Sequence, residues 1–503
     1  MAFEPKYSAL TPAYPQRLAA GQAVVEARLL PAGYTVEKVL SASADVTVAA
    51  GETFTGEARY NGKATFRVLL LDGDGVYRSL DYVAEFSDKL TGSGITVNTQ
   101  PFLSCNVLDT DIVLATASEI KLACVVEVCL MSVVTEQLHC LSDGGEGIYT
   151  HDDRLNYTRL SGIGHESHSY SDTISAAAAD EILFCEPRAF VVKRIPDTDC
   201  ITVEGIIVND ILVRCGEQVS SVRTETPFTA QLTAAGTKQS DICEVTVRVE
   251  QCGVELVTGE NAAIACDYTL AFDYMAFTED AENPVCDAFC VENELLIEGR
   301  TVTMPFPLGA ETFFERVEGK ITLDEAMPAA DKISAACGSR LSITGAFASE
   351  GKLTVEGMAA MGIVYLSEEG QKASAAVELP FSITVSAPLK EGDEVHARGC
   401  VTNVEVKVRR SGELDVKADI AVEYESYRPE SKYLIENIAI GEAHSLPTGA
   451  VSIHIARKGE TLWEAAKALG TTPENVLLQN PDLTLPCAGG ERVLTYRCLS
   501  KAE

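Results

Sequence analysis

Few residues in this chain are of a type and spacing that could do chemistry, and they are scattered. His165 and His168 in "GIGHESHSY" have the spacing of a metal-ligand pair, with His151, Asp152 and Asp153 upstream. A tetrahedral zinc site needs a second matched pair of donors, and none follows. Cys286-x-x-x-Cys290 is incomplete for the same reason. The expectation is therefore no metal and no cofactor. Asp152 and Asp153 are the kind of paired carboxylates that could cleave a glycan by acid–base chemistry, but a charged, solvated loop is the simpler account of them. The sequence holds no G-x-x-x-x-G-K-[ST] phosphate loop, no G-x-S-x-G elbow and no H-E-x-x-H helix. The Gly-Lys pairs in "EGKITL" and "EGKLTV" read as turns entering strands. With no nucleophile or base identifiable, the chain reads as a non-enzyme.

Signals for a binding function concentrate at the other end of the chain, in "VSIHIARKGETLWEAAKALGTTPENVLLQNPDLTLPCAGGERVLTYR", residues 451–497. The pattern there is strand, helix, helix, strand. Thr461 and Glu464 form a T-x-x-E capping box that starts the first helix, and Gly470 ends it. Thr472 caps the second, with Pro473 at the first helical position, where its missing N–H costs nothing, and Asn480-Pro481 stops it. Leu462, Ala466 and Leu469 recur at i, i+4, i+7 and form the buried stripe. Trp463, the one tryptophan of the chain, falls about one hundred degrees round from that stripe, on the helix flank. An aromatic placed there could meet a partner protein or a sugar ring, or simply cover the helix edge.

This segment resembles a LysM domain. "KGETLWEAA" stands where the family shows G-D-T-L-W-x-I-A, and "VLLQNPDL" where it shows the asparagine closing the second helix. Glu460 replaces the usual aspartate, and "LPCAGGERVLTYR" departs from the common P-G-Q-x-L-x-I-P ending. The resemblance implies a ligand groove between two loops, formed here by Gly459, Glu460, Thr461 and Leu462 with Asn480, Pro481, Asp482 and Leu483, and with Trp463 beside it. LysM domains usually bind N-acetylglucosamine polymers such as peptidoglycan, and some bind proteins, so the resemblance leaves the ligand open.

Composition narrows the partners. A formal charge of −34, from 74 acidic and 40 basic residues, argues against nucleic acid and anionic lipid. No stretch reads as a secretory signal or a membrane span, since the richest apolar run, "IKLACVVEVCLMSVV", is interrupted by Lys121 and Glu127. Sixteen cysteines without an export signal point to a reducing compartment, with thiols acting as small buried residues.

At 503 residues the chain is too long for one core, and its first 430 residues read as one unit written three times. The openings "GYTVEKVLSASADV", "AAAADEILFCEPRAF" and "MPAADKISAACGSRL" correspond, as do Phe86, Phe228 and Phe381 in later "ELPF"-like elements, which read as core anchors. Gly205 and Gly357 match in "VEG" contexts, and unit one reads as lacking that glycine. Strict alternation follows, as in Leu414, Val416, Ala418, Ile420, Val422 and Tyr424, in Ile264, Cys266, Tyr268, Leu270 and Phe272, and in Ile120, Leu122, Cys124, Val126 and Val128. Such a period of two predicts antiparallel sheets covered on one face.

The expected fold is mainly β: three tandem antiparallel β-sandwich-like repeats followed by a small βααβ LysM domain. The predicted boundaries are an N-terminal extension at 1–27, repeats at 28–138, 172–278 and 325–427, a linker at 428–450 and the LysM segment at 451–497. Polar connectors separate the repeats, the second of them adding a short strand near Glu294 to Glu298.

Repeats of this kind followed by a LysM module resemble the SPOCS-domain family of sporulation proteins. That resemblance covers roughly residues 30–497. It implies spore coat assembly in the mother-cell cytoplasm, with the LysM module docking the stage IV sporulation coat ATPase at the forespore surface. On this reading the repeats form an extended, multivalent scaffold. The alternative is a glycan-binding protein that holds peptidoglycan or spore cortex in the same groove, and a third, weaker one is a wall hydrolase. The lack of an export signal favours the scaffold, because mature wall lies outside the membrane.

Overall fold

The computed structural model describes residues 4–175, 179–257, 263–324, 327–410, 412–444 and 451–496. Within them the chain is mainly β, with two short helices near its carboxyl end.

One six-strand connectivity occurs three times. In unit one the strands are Ala13–Leu29, Val36–Phe54, Glu57–Asp72, Tyr77–Thr91, Phe102–Thr116 and Glu119–Thr135. In unit two they are Leu155–Ser175, Glu181–Asp197, Cys200–Cys215, Gln218–Thr233, Ile242–Val257 and Ala263–Glu282, and in unit three Asn293–Thr322, Ala330–Ser349, Lys352–Ser367, Lys372–Ser386, Glu394–Arg410 and Glu413–Ala443. The second, third and fourth strands form one antiparallel meander. The first, sixth and fifth form a second sheet with the sixth strand in its centre. Each unit encloses its own apolar core, to which both of its sheets contribute.

Alternation along the central strands explains the layering. Leu414, Val416, Ala418, Ile420, Val422 and Tyr424 are buried in the core of unit three, while Asp415, Lys417 and Asp419 stay at the surface. Further along the same strand Ala421 and Glu423 are buried too. There the outer face is covered by unit two, through Phe190 and Val208 against Ala421.

The third strand of every unit carries a glycine at its sixth residue: Gly62, Gly205 and Gly357. Each pairs directly with the repeated phenylalanine on the next strand, Phe86, Phe228 and Phe381. The ring lies across the space a side chain would fill, so that a Cβ on Gly62 or Gly205 would fall 2.3 Å from its Cζ atom. Unit one therefore does possess the glycine its sequence reading lacked. Of the three rings Phe228 is buried, whereas Phe86 and Phe381 are half-exposed.

Four further expectations are corrected. The supposed N-terminal extension contains the Ala13–Leu29 strand, which pairs along its length with the sixth strand of unit one. The first connector contains Leu155–Ser175, paired with the sixth strand of unit two. The 428–450 linker is largely strand, because Glu413–Ala443 continues through Arg428 to Ala443 against Asn293–Phe306; residues 445–450 lie outside the described residues. Finally, the units are not strung out in an extended array. Leu69, Leu71 and Tyr77 of unit one, Phe184 and Leu212 of unit two and Val364 of unit three share one buried cluster. At that junction Glu186 of unit two accepts hydrogen bonds from the Ser43 hydroxyl at 2.7 Å and the Gly338 amide at 2.9 Å. A carboxylate spanning three units fixes their relative placement more specifically than apolar contact alone.

Two short ribbons complete the body. Lys6–Leu10 pairs with Leu138–Asp143, and Ile148–Asp152 with Val285–Cys290. The second ribbon receives the C-terminal module.

Candidate binding surface of the C-terminal module

The module is built as its local signals require. Val451–Ile455 and Arg492–Tyr496 pair antiparallel, and between them run α1 (Leu462–Leu469) and α2 (Pro473–Gln479). The capping box at Thr461 is complete: its hydroxyl accepts from the Glu464 amide, and the Glu464 carboxylate accepts from the Thr461 amide at 2.7 Å. Gly470 ends α1 at φ 57°, in the left-handed region that favours glycine. The Thr472 hydroxyl caps α2.

The nine groove residues divide into two kinds. Gly459, Thr461, Pro481 and Asp482 are exposed. Glu460 is buried and already occupied, since its carboxylate accepts from the Arg457 amide at 2.6 Å and pairs with His454 Nε2 at 2.5 Å. The Arg457 amide, helped by His454, holds this carboxyl below the usual carboxylate range despite its burial. Asn480 is likewise a clasp: its Nδ2 donates to the Val476 and Leu494 carbonyls, and its Oδ1 accepts from the Leu494 amide, all at 2.8 Å. Leu462 and Leu483 are half-buried against the small core.

Trp463 lies on the flank of α1, and that flank is filled by the chain itself. Its indole stacks on His151 with centroids 5.3 Å apart and meets Phe289 edge-on at 4.9 Å. Indole Nε1 donates to Asp287 Oδ2 at 2.8 Å, and Lys467 Nζ donates to Asp287 Oδ1 at 2.6 Å. Burial alone would raise the Asp287 carboxyl, but the bonds from Lys467 and Trp463 outweigh it and hold it below its ordinary value. The ring thus joins the module to the Ile148–Asp152 and Val285–Cys290 ribbon, a junction that no pattern around Trp463 foretold because its other half lies about 180 residues upstream.

The free apolar surface is elsewhere. Val451, Ile453 and Ile455 project outward from the first strand of the module at 50%, 60% and 64% exposure, with Tyr496 paired to Val451. Leu478 on α2 is 78% exposed.

Because Trp463 is the one tryptophan of the chain, its fluorescence reports on the seat alone. Replacing Asp287 with alanine removes the indole acceptor and the lysine partner, a loss of about 1–3 kcal/mol. Emission is expected to shift to the red and acrylamide quenching to rise, with the far-ultraviolet circular dichroism unchanged. An unaltered emission spectrum in Asp287→Ala would contradict this seat.

The other sequence candidates do not converge. His165 and His168 sit on one strand three residues apart, so they point to opposite faces. His165 Nδ1 lies 2.7 Å from Asp273, and His168 Nε2 lies 3.2 Å from Glu166. The Cys286 thiol donates to the His151 carbonyl, and Asp153 pairs with Lys432. Among the described residues no three His, Cys, Asp or Glu side chains are grouped to hold a metal ion, and no helix is long and apolar enough to cross a membrane.

No curated protein and no solved structure matches the chain. Residues 178–257, which carry the second to fifth strands of unit two, match the family model described as "SipL, SPOCS domain".

Proposed function

We propose that this chain is a non-enzymatic sporulation protein, an assembly scaffold of the spore coat that acts in the mother-cell cytoplasm at the forespore surface. In this reading the three units are SPOCS-like repeats in the form of β-sandwiches, and the C-terminal module is a LysM domain that captures the stage IV sporulation coat ATPase. The observation that carries it is the family match on unit two, together with the recurrence of that unit's strand order in the other two. A fold repeated three times and clamped around one junction offers several surfaces in fixed relation, which suits assembly rather than turnover.

The alternative, peptidoglycan binding through the same module, is less favoured by the surroundings of Trp463. An aromatic platform for a sugar needs a free ring face, whereas this indole is stacked on His151. A protein partner would instead meet the exposed rim at Gly459, Thr461, Pro481 and Asp482, with Leu462 and Leu483 behind it. Trp463 would then act as the strut that orients this rim.

The test uses the full chain immobilised against the purified coat ATPase and, in parallel, against insoluble peptidoglycan. Capture of the ATPase is expected, weakened about 10-fold or more by Pro481→Arg with Asp482→Arg, a loss typical of a change at the centre of an interface. Retention on peptidoglycan with no ATPase captured would reverse the assignment.

A further inference from the structure

Units two and three meet through a buried set of charges. Arg194 on the second strand of unit two donates to Glu423 at 2.6 Å. Arg398 of unit three donates to Glu425 at 2.8 Å and to Glu423 at 3.4 Å. Both guanidinium groups also donate to the Val245 carbonyl, at 3.3 Å. These two arginines and two glutamates balance one another.

Glu244, the residue before Val245, is the odd ionisable group. It is 2% exposed, and neither of its carboxylate oxygens has a hydrogen-bond partner among the described residues. The Tyr427 hydroxyl is near enough to influence it but is not in bonding geometry, and is itself unpartnered among those residues. Glu244 lines a cleft of about 550 Å³ that runs between the three units. The other carboxylates on its walls are engaged: Glu127 with Arg17 at 3.7 Å, Asp273 with His165 and Arg248, and Glu423 and Glu425 as above. His396 also lines it, while Phe102, Phe190 and Met275 supply apolar wall.

We propose that this cleft binds a monovalent organic cation, a guanidinium or primary ammonium group on an alkyl chain, with Glu244 as its counter-ion. A buried carboxylate without a partner is costly, and a cation that brings its own donors removes the cost. The two free oxygens match a guanidinium fork, and the apolar wall suits an alkyl stem. A divalent ion is disfavoured by the two arginines close by and by the lack of further free ligands among the described residues. The proposal is independent of the C-terminal module.

Proton release gives the site a signature. Burial, and after it the charge of Glu425, push the Glu244 carboxyl up to about 8, against smaller opposing effects from Tyr427, Arg398 and Arg194. A cation arriving near neutral pH must therefore displace a proton. The experiment is isothermal titration calorimetry of n-butylguanidinium, and separately of a capped arginine tripeptide, into the full chain in two buffers of different ionisation heat. Expected are saturable binding, release of close to one proton per ligand, and tightening of up to about tenfold for each pH unit of increase towards pH 8, levelling off above it. Glu244→Gln should weaken binding about tenfold or more and abolish the proton release; Glu244→Asp should weaken it while keeping the release. Binding of n-butylguanidinium identifies a free small cation, and binding of the tripeptide alone identifies a side chain presented by a partner. Binding by neither probe, or binding that survives Glu244→Gln undiminished, overturns the proposal.

Discussion

Replacing Phe228 with alanine is expected to destabilise unit two by about 3–5 kcal/mol, the cost of emptying a large aromatic site in a packed core. The ring is 3% exposed, touches Tyr170 and Phe272 with centroid distances of 5.6 and 5.7 Å, and covers Gly205 on the paired strand. The complementary change tests the same packing from below. A Cβ at residue 205 would fall 2.3 Å from Phe228 Cζ and 2.4 Å from the Phe190 carbonyl oxygen. The ring could move, but the carbonyl belongs to the neighbouring strand and cannot without breaking the ladder. Gly357 has the same problem with the Ser342 carbonyl at 2.4 Å, whereas Gly62 meets only ring atoms of the half-exposed Phe86. Gly205→Ala and Gly357→Ala should therefore cost more than Gly62→Ala, by about 1–3 kcal/mol. A chain with several cores need not unfold in one step, so hydrogen exchange read separately for each unit is the suitable measurement. Equal losses in all three glycine variants, or a Phe228→Ala chain with undiminished protection in unit two, would refute this account.

The same three pairs show what was legible in the sequence. Phe86, Phe228 and Phe381 stand out because each lies in a recurring "ELPF"-like element. Gly62 does not stand out because the apolar stretch of unit one that matches the other units, "ATFRVLLLDGDGVYRSL", begins two residues after it. The sixth strands were visible because they lie in the middle of a sheet covered on one side, where buried and exposed residues must alternate. The first strands were not. Along Leu155–Ser175 the outward Ser167, Ser169 and Ser171 alternate with half-buried Glu166, His168, Tyr170 and Asp172, so neither face is apolar enough to give a period. The helices of the module were the clearest of all, since caps are local chemistry. The seat of Trp463 and the pairing of Arg194 with Glu423, 229 residues apart, leave no local trace. Contacts between units depend on how finished units pack, and they become visible only in three dimensions.

Glu244 is expected to make stability fall as the pH rises from about 4.5 towards 8. Its carboxyl, pushed up to about 8 by burial and by Glu425, holds its proton more tightly in the folded chain than at the ordinary 4.5. The folded state therefore binds more protons than the unfolded state across that interval, and stability declines with pH there. The favourable contribution is fully present below about 4.5, is lost progressively up to about 8, and changes no further above it. For one proton the slope is at most about 1.4 kcal/mol per pH unit, so the whole interval amounts to several kcal/mol. Two groups that act on Glu244, Tyr427 and Glu425, titrate outside this window. Tyr427 is raised well above its ordinary value by burial and by Glu244, which places its ionisation at strongly alkaline pH. Glu425, despite its burial, is held low by Arg398, so its contribution is lost only on acidification. Glu244→Gln keeps the shape and removes the titration. The variant should show a flatter stability profile between pH 5 and 8 and should be more stable than the parent at the alkaline end, because a neutral amide has no ionisation to suppress. Thermal unfolding of parent and variant across that range decides the matter. Parallel profiles would mean that Glu244 is solvated in the folded chain, and the electrostatic account of the junction between units two and three would fall with it.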